Sequence, residues 1–213
     1  MTQTPSEVLR FRWLDAMLPD VPFDGWTDAT AARAADRAGL TEGERALAAP
    51  QGVKDLIDAF FERAGQVARE ALAAQDQTEL NTPARVKAGV LAWLAALEPN
   101  REAVRRAAVL GLLPWGAAPA AQRTWRVADM VWDAAGDTSD DYNRYSKRGL
   151  LAAVIPPIVM YWLDDPSDAD LDAYIDRRLR LASGIGRNLG RLAKPLLDVL
   201  PVSRPNGGPK PKD

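Results

Sequence analysis

The sequence predicts an all-α chain of about nine to ten helices. Three observations point there. Nothing alternates between apolar and polar over a useful length, Ala, Leu, Arg and Glu dominate at helical spacing, and the interruptions fall at Gly, Pro and polar clusters. Helices are expected over residues 6–18, 27–38, 42–48, 52–74, 83–97, 101–112, 118–134, 139–163 and 168–182, with a weaker one over 185–200.

Local chemistry supports these elements in order. Thr27 is placed to cap the second helix, Asp28 lies in its first turn, Gly39 follows its end, and Thr41 precedes the third. Residues 75–82 form a polar connection, while Pro99-Asn100, 114–117 and 164–167 mark turns. In the seventh helix Trp125, Ala128, Val131, Trp132 and Ala135 make one apolar face. Gly136-Asp137 ends it. Thr138 is a candidate cap for the next helix, with Asp140 and Asp141 in the first turn at the positive end of the macrodipole. Asp140 and Arg144 are spaced for an ion pair, and Arg144 and Arg148 for a basic cluster. Beyond Arg148 the helix becomes apolar on every face.

Composition excludes much chemistry. The 213 residues contain neither His nor Cys, so no Ser-His-Asp triad, thiol nucleophile, Cys/His zinc site or thiol redox couple is available. Neither a GxxxxGK[ST] loop nor an EF-hand loop is present. A non-enzymatic binding protein without a cofactor or metal is expected. The net charge of -2 advertises no nucleic-acid partner. The start of the chain lacks the pattern of a signal peptide, which predicts a cytoplasmic protein. The apolar run 149–163 holds fifteen residues and two prolines, short of a membrane span, and reads as a buried, kinked helix.

The first three helices have the lengths and turns of a helix-turn-helix module, followed by a long fourth helix. This resembles TetR-type regulators, and a ligand-responsive transcriptional regulator is the alternative reading. Yet the candidate recognition helix, TEGERALAA, carries Glu42 and Glu44 against Arg45. Residues 1–60 hold ten acidic and six basic side chains, a poor surface for phosphates.

The segment around Gly136 is more specific. Trp132, Gly136, Asp137, Ser139, Asp141, Tyr142, Asn143, Tyr145, Lys147 and Arg148 resemble the motif of the TetR-like, lipid-binding accessory family of ubiquinone biosynthesis. Pro22, Asp24, Gly25, Trp26 and Thr27, then Pro50, Gly52, Asp55 and Leu56, extend the resemblance. It implies an isoprenoid lipid or ubiquinone intermediate as ligand and the pathway's di-iron hydroxylase as partner. The iron and oxygen chemistry would belong to that partner.

Under this resemblance, Asp137, Asp141, Tyr142, Asn143, Arg144, Tyr145, Lys147 and Arg148 are the expected partner-binding surface. Arg144 departs from the family, which places Trp there; either the partner surface has changed to suit an arginine, or the client differs. The expected lipid walls are Val90, Leu94, Leu97, Val104, Leu110, Leu113, Trp125, Met130, Trp132, Leu151, Val154 and Ile158. The same residues at helical spacing would also build an ordinary core. A homodimer is expected through residues 150–163 and the helix after Asp168.

Ile185, Leu189, Leu192, Leu196 and Val199 repeat at helical spacing, with Arg187, Arg191 and Lys194 on the other side. Between Arg177 and Leu197 there are six basic residues and no acidic one. Ile185, Arg187, Leu189, Arg191, Leu192, Lys194 and Leu196 are therefore the expected contacts with the inner face of a membrane, held peripherally. The expected organisation is a helix-turn-helix-like module over 1–50, a lipid-binding and dimerisation domain over 51–182, an amphipathic helix over 183–202 and a disordered tail over 203–213.

Overall fold

In the computed structural model, the backbone of residues 4–139 and 142–197 is described, with their side chains except those of Tyr142 and 185–197. Among the described residues ten α-helices follow one another: α1 (Pro5–Met17), α2 (Val21–Asp24), α3 (Asp28–Arg37), α4 (Glu42–Ala48), α5 (Val53–Ala73), α6 (Thr82–Leu97), α7 (Arg101–Gly111), α8 (Pro114–Ala134), α9 (Tyr142–Leu163) and α10 (Asp168–Leu197). A 3₁₀ turn, Glu98–Asn100, joins α6 to α7. No strand occurs among the described residues.

The starts of several helices follow from side-chain chemistry. Thr4 and Thr41 form reciprocal capping boxes with Glu7 and Glu44, and Thr27 and Asn81 each accept a backbone N–H of the first turn. Gly25, Gly39, Gly52 and Gly136 all have positive φ, and they close turns that a side chain would strain.

Four boundaries differ from the sequence expectation. The short helix α2 lies where only a connection was expected; Val21 is its buried anchor. Helix α8 begins at Pro114 rather than at residue 118, because proline in the first turn needs no hydrogen-bonded N–H. Helix α9 is described from Tyr142 and Ser139 is not helical, so Thr138 does not stand directly before the helix as its cap. The expected Asp140–Arg144 pair lies outside the described residues. The two expected carboxyl-terminal helices are one continuous α10, and Gly184 does not end it. Pro156 and Pro157 sit within α9, which continues past them while Ile155, Ile158 and Trp162 pack into the core.

A single apolar core runs from Trp13 to Ala182, so the amino-terminal helices are seated on the rest of the chain. The Trp13 and Trp26 indoles donate to the carbonyls of Ala31 and Ala103 at 2.8 and 2.9 Å, satisfying their polar ends inside the core. Gly89 lets α6 and α8 approach closely; a Cβ there would stand 2.9 Å from a Val131 methyl. Tyr161 stacks on Tyr174 at 4.1 Å between α9 and α10. Lys87 bridges α6 to α10 through Asp172 and Asp176 at 2.7 and 2.9 Å.

Candidate functional site

The site begins with a repeated spacing of small residues. Val104, Ala107, Ala108 and Gly111 on α7 stand at i, i+3, i+4 and i+7, as do Ala117, Ala120, Ala121 and Thr124 on α8 and Gly149, Ala152, Ala153 and Pro156 on α9. One helical stripe from each of three helices therefore faces a common space with side chains too small to fill it. The result is a cavity of about 620 Å³, closed on its inner side by Phe61, Trp93, Val127 and Ile155. Its volume lies within the roughly 300–1,000 Å³ of small-molecule sites. Leu112, Trp125 and Met160 line it while remaining substantially exposed, and so mark the side open to solvent.

The chemistry of this cavity is apolar with one charged edge. Arg123 is its only charged lining residue among those described, and its guanidinium is held by Asp58 at 2.8 Å and lies over the Phe61 ring. Thr124 donates its hydroxyl to the Ala120 carbonyl and adds no free donor. Such a lining suits a hydrocarbon chain, whose burial is favourable by about 0.8 kcal/mol per methylene before binding costs.

Of the twelve residues expected to line a lipid site, Val104 and Trp125 line this cavity. Val90, Leu94, Leu97, Leu151, Val154 and Ile158 are buried in the core, Leu110 and Trp132 are half-buried against it, and Leu113 is half-buried at the start of α8. Met130 is buried beside a different groove. Large apolar residues turned towards the bundle axis fill space, whereas a cavity persists where residues are small. The stripes of Ala and Gly were the sequence signal for it.

The other groove, of about 740 Å³ between α1, α5 and α8, is polar. Arg10, Lys54, Arg69, Arg123 and Arg126 face Asp55, Asp58, Glu62, Asp129 and Asp133 along it. Its charges balance and partly pair with one another, as Arg123 and Arg126 do with Asp58. A solvated, self-neutralised surface needs no ligand.

Below the open side of the cavity, the turn between α8 and α9 holds a cluster of ions. Asp129, Asp133 and Asp137 recur every four residues along α8 and into the turn, and Arg148 of α9 meets all three. Its Nε donates to Asp129, its Nη2 to Asp133 at 2.6 Å and its Nη1 to Asp137 at 3.1 Å. Lys147 donates to Asp137 at 2.7 Å and to the Ser139 hydroxyl at 2.8 Å, and its ammonium lies over the Trp132 ring. The Trp132 indole returns a bond to the Lys147 carbonyl at 3.2 Å.

Arg148 and Asp137 were expected on a partner-binding surface, and their side chains are only 2% and 5% exposed. Both are internal struts between α8 and α9. A guanidinium that satisfies three carboxylates at once is drawn inward by them, and the turn folds around it. Ser139 is engaged by Asp137 and Lys147. The outward-facing residues are Asn143, Arg144 and Tyr145. Arg144 pairs with Asp129 at 3.4 Å, and Tyr145 is exposed while stacking on Trp125 at the edge of the cavity. Asp141 and the Tyr142 side chain lie outside the described residues, as do the side chains of Ile185, Arg187, Leu189, Arg191, Leu192, Lys194 and Leu196.

Burial alone would push the Asp137 carboxyl up, but the Lys147, Ser139 and Arg148 hydrogen bonds and the Lys147 charge outweigh it. They hold the carboxyl at about 2, against 3.8 ordinarily. A depressed carboxyl contributes stability above its unfolded value, and loses it as pH falls towards its folded one. The depression corresponds to a contribution on the order of 2 kcal/mol. Chemical denaturation across pH 4 to 2 should therefore show Asp137→Asn losing about that much less stability than the parent chain. Parallel losses in the two proteins would refute it.

Among residues 1–50, Arg10 donates to the Ala48 carbonyl and the other four cations meet carboxylates of the same segment. Arg33 pairs with Asp24, Arg37 with Asp20 at 2.6 Å and Arg45 with Asp36 at 2.5 Å. Arg12 approaches Glu44 of α4 at 3.8 Å.

Comparison with known proteins places this geometry. The COQ9 family model matches residues 117–186, which take in most of α8, the ion cluster, α9 and much of α10. The chain is 26% identical over 190 residues to the rat mitochondrial ubiquinone biosynthesis protein COQ9, and 26% identical over 189 residues to the human protein. Each alignment covers 85% of this chain, and the chain spans about 60% of those relatives' length (61% and 59%). A TetR transcriptional regulator structure from Nitrosomonas europaea superposes with a TM-score of 0.65 at 21% identity, covering 83% of this chain and 98% of that one. That likeness concerns the fold alone. The chain is thus similar to the COQ9 proteins of ubiquinone biosynthesis over most of its own length, on an all-α, TetR-like fold.

Proposed function

We propose that this protein is a non-enzymatic accessory of ubiquinone biosynthesis, which binds an isoprenoid quinone intermediate and presents it to a membrane-associated hydroxylase. The observation that carries this reading is the apolar cavity walled by α7, α8 and α9, whose α8 and α9 walls lie within the matched segment. The cavity holds one charged group, and that group is already paired, so it favours a ligand whose bulk is hydrocarbon.

In this reading the tail of the intermediate occupies the cavity and Trp125 and Tyr145 flank its way out. Asn143, Arg144 and Tyr145 supply the surface that meets the di-iron hydroxylase. Arg and Tyr are both enriched at interface hot spots, so arginine at 144 is compatible with a docking role. The residues after Gly184 contact the inner face of the membrane, and α9 with α10 forms a homodimer interface. Among the described residues no helix is long and apolar enough to cross a membrane. Peripheral attachment is the mode this reading assigns.

Native mass spectrometry of the purified full chain, with extraction of co-purified lipid, tests the ligand. The expected result is a bound polyprenylated species, or uptake of an added isoprenoid quinone. A chain that arrives empty and ignores added quinone refutes the lipid site.

A further inference from the structure

Residues 103–128 contain no carboxylate and four arginines, Arg105, Arg106, Arg123 and Arg126. They form the corner between α7 and α8, and that corner carries the most exposed bulky apolar side chains near the cavity. Leu112 is 81% exposed and Trp115 is 74% exposed, with Val109 one turn before them at 58%. Trp125 and Met160 continue the exposed apolar surface across the open side of the cavity.

The corner is a built feature of the backbone. Gly116 brings α8 against the end of α7 so closely that a Cβ there would stand 1.9 Å from the Leu110 carbonyl oxygen. A Cβ on Gly111 would meet that of Ala120 at 3.1 Å. Leu113, by contrast, turns partly inward. The tight turn thus projects Leu112 and Trp115 outward while the small residues beside them wall the cavity.

We propose that the α7–α8 corner is a bilayer-inserting wedge: Leu112 and Trp115 enter an anionic membrane, and the open side of the cavity meets the lipid directly. Exposed leucine beside tryptophan suits the boundary between headgroups and acyl chains, where an indole is favoured. Arg105, Arg106 and Arg126 keep their side chains about half exposed on the same two helices. Glu102 meets Arg105 and Arg106, and Asp58 meets Arg123 and Arg126, so two carboxylates face four guanidiniums and the remaining positive charge favours anionic headgroups. A hydrocarbon ligand then passes between bilayer and cavity without its tail crossing water, which would otherwise oppose transfer at every methylene. This contact is separate from the carboxyl-terminal segment, and its purpose rests on the cavity being a lipid site.

The absence of cysteine makes the test clean. Full chains carrying Leu112→Cys or Trp115→Cys are labelled with an environment-sensitive fluorophore and mixed with phosphatidylcholine vesicles with and without phosphatidylglycerol. Leu47→Cys, on an exposed apolar position of α4, serves as the control. Labels at 112 and 115 are expected to shift to the blue and to lose quenching by aqueous iodide only with the anionic vesicles, while the label at 47 does not change. Leu112→Glu with Trp115→Glu should lower vesicle partition roughly tenfold or more, with thermal unfolding unchanged because both side chains are exposed. Vesicle binding with silent labels at 112 and 115 overturns the proposal, as does the absence of vesicle binding. Labels that respond to a protein partner but not to vesicles also overturn it. Lipid co-purifying with the double variant, despite lost partition, would separate the wedge from the cavity.

Discussion

Replacing Arg148 by methionine destabilises the folded chain by about 3–5 kcal/mol, the range for removing one partner from a buried ion cluster. Thermal unfolding followed by circular dichroism should show a fall of roughly 2–4 °C for each kcal/mol. The cost comes from what is left behind. Asp137, with a side chain only 5% exposed, would keep Lys147 as a partner but lose a guanidinium bond, while Asp129 and Asp133 would lose theirs. Lysine at 148 should not restore stability, because one ammonium cannot reproduce the three-nitrogen geometry. Combining Asp137→Asn with Arg148→Met should cost less than the two single changes summed, since the second no longer strands a charge. A melting temperature for Arg148→Met equal to that of the parent chain would show that the cluster contributes nothing net.

The second large effect is on binding. Ala153→Trp should weaken uptake of an isoprenoid quinone by about 100-fold, or roughly 2.7 kcal/mol. Ala153 lines the cavity while remaining exposed, so an indole there has open space to occupy. Stability should therefore change by less than about 1 kcal/mol, in contrast to overpacking a filled core. Tryptophan quenching titrations and chemical denaturation, run on the same preparations, separate the two quantities. Unchanged affinity in a folded variant would place the ligand elsewhere and remove the main support for the lipid-binding reading.

The motif around Gly136 shows how far residue order reaches. Its spacing marked the segment as special, but surface and interior are not encoded in that spacing. Arg148 was expected to be available to a partner and is instead enclosed by Asp129, Asp133 and Asp137, carboxylates contributed by the preceding helix. Their four-residue recurrence was readable. That the stripe faces α9 depended on how two helices meet across a turn. Tyr145, three residues before Arg148, remains outside and leans on Trp125.

The cavity illustrates the same limit from the opposite side. Large apolar residues such as Leu94, Leu97 and Ile158 report that a face is buried, and they are buried. They do not report where packing fails. That is decided by Ala and Gly on three helices converging on one space, and convergence depends on crossing geometry rather than on any single helix.

By itself the sequence determined the helical class and most helix boundaries, because periodicity, caps and breakers act within a few residues. It also excluded histidine and cysteine chemistry outright. Only the tertiary structure decided which side of each helix holds a cavity, which charges are sealed inside and which apolar residues are left outside. Those outcomes arise between segments distant in sequence, where burial and pairing free energies outweigh local preference.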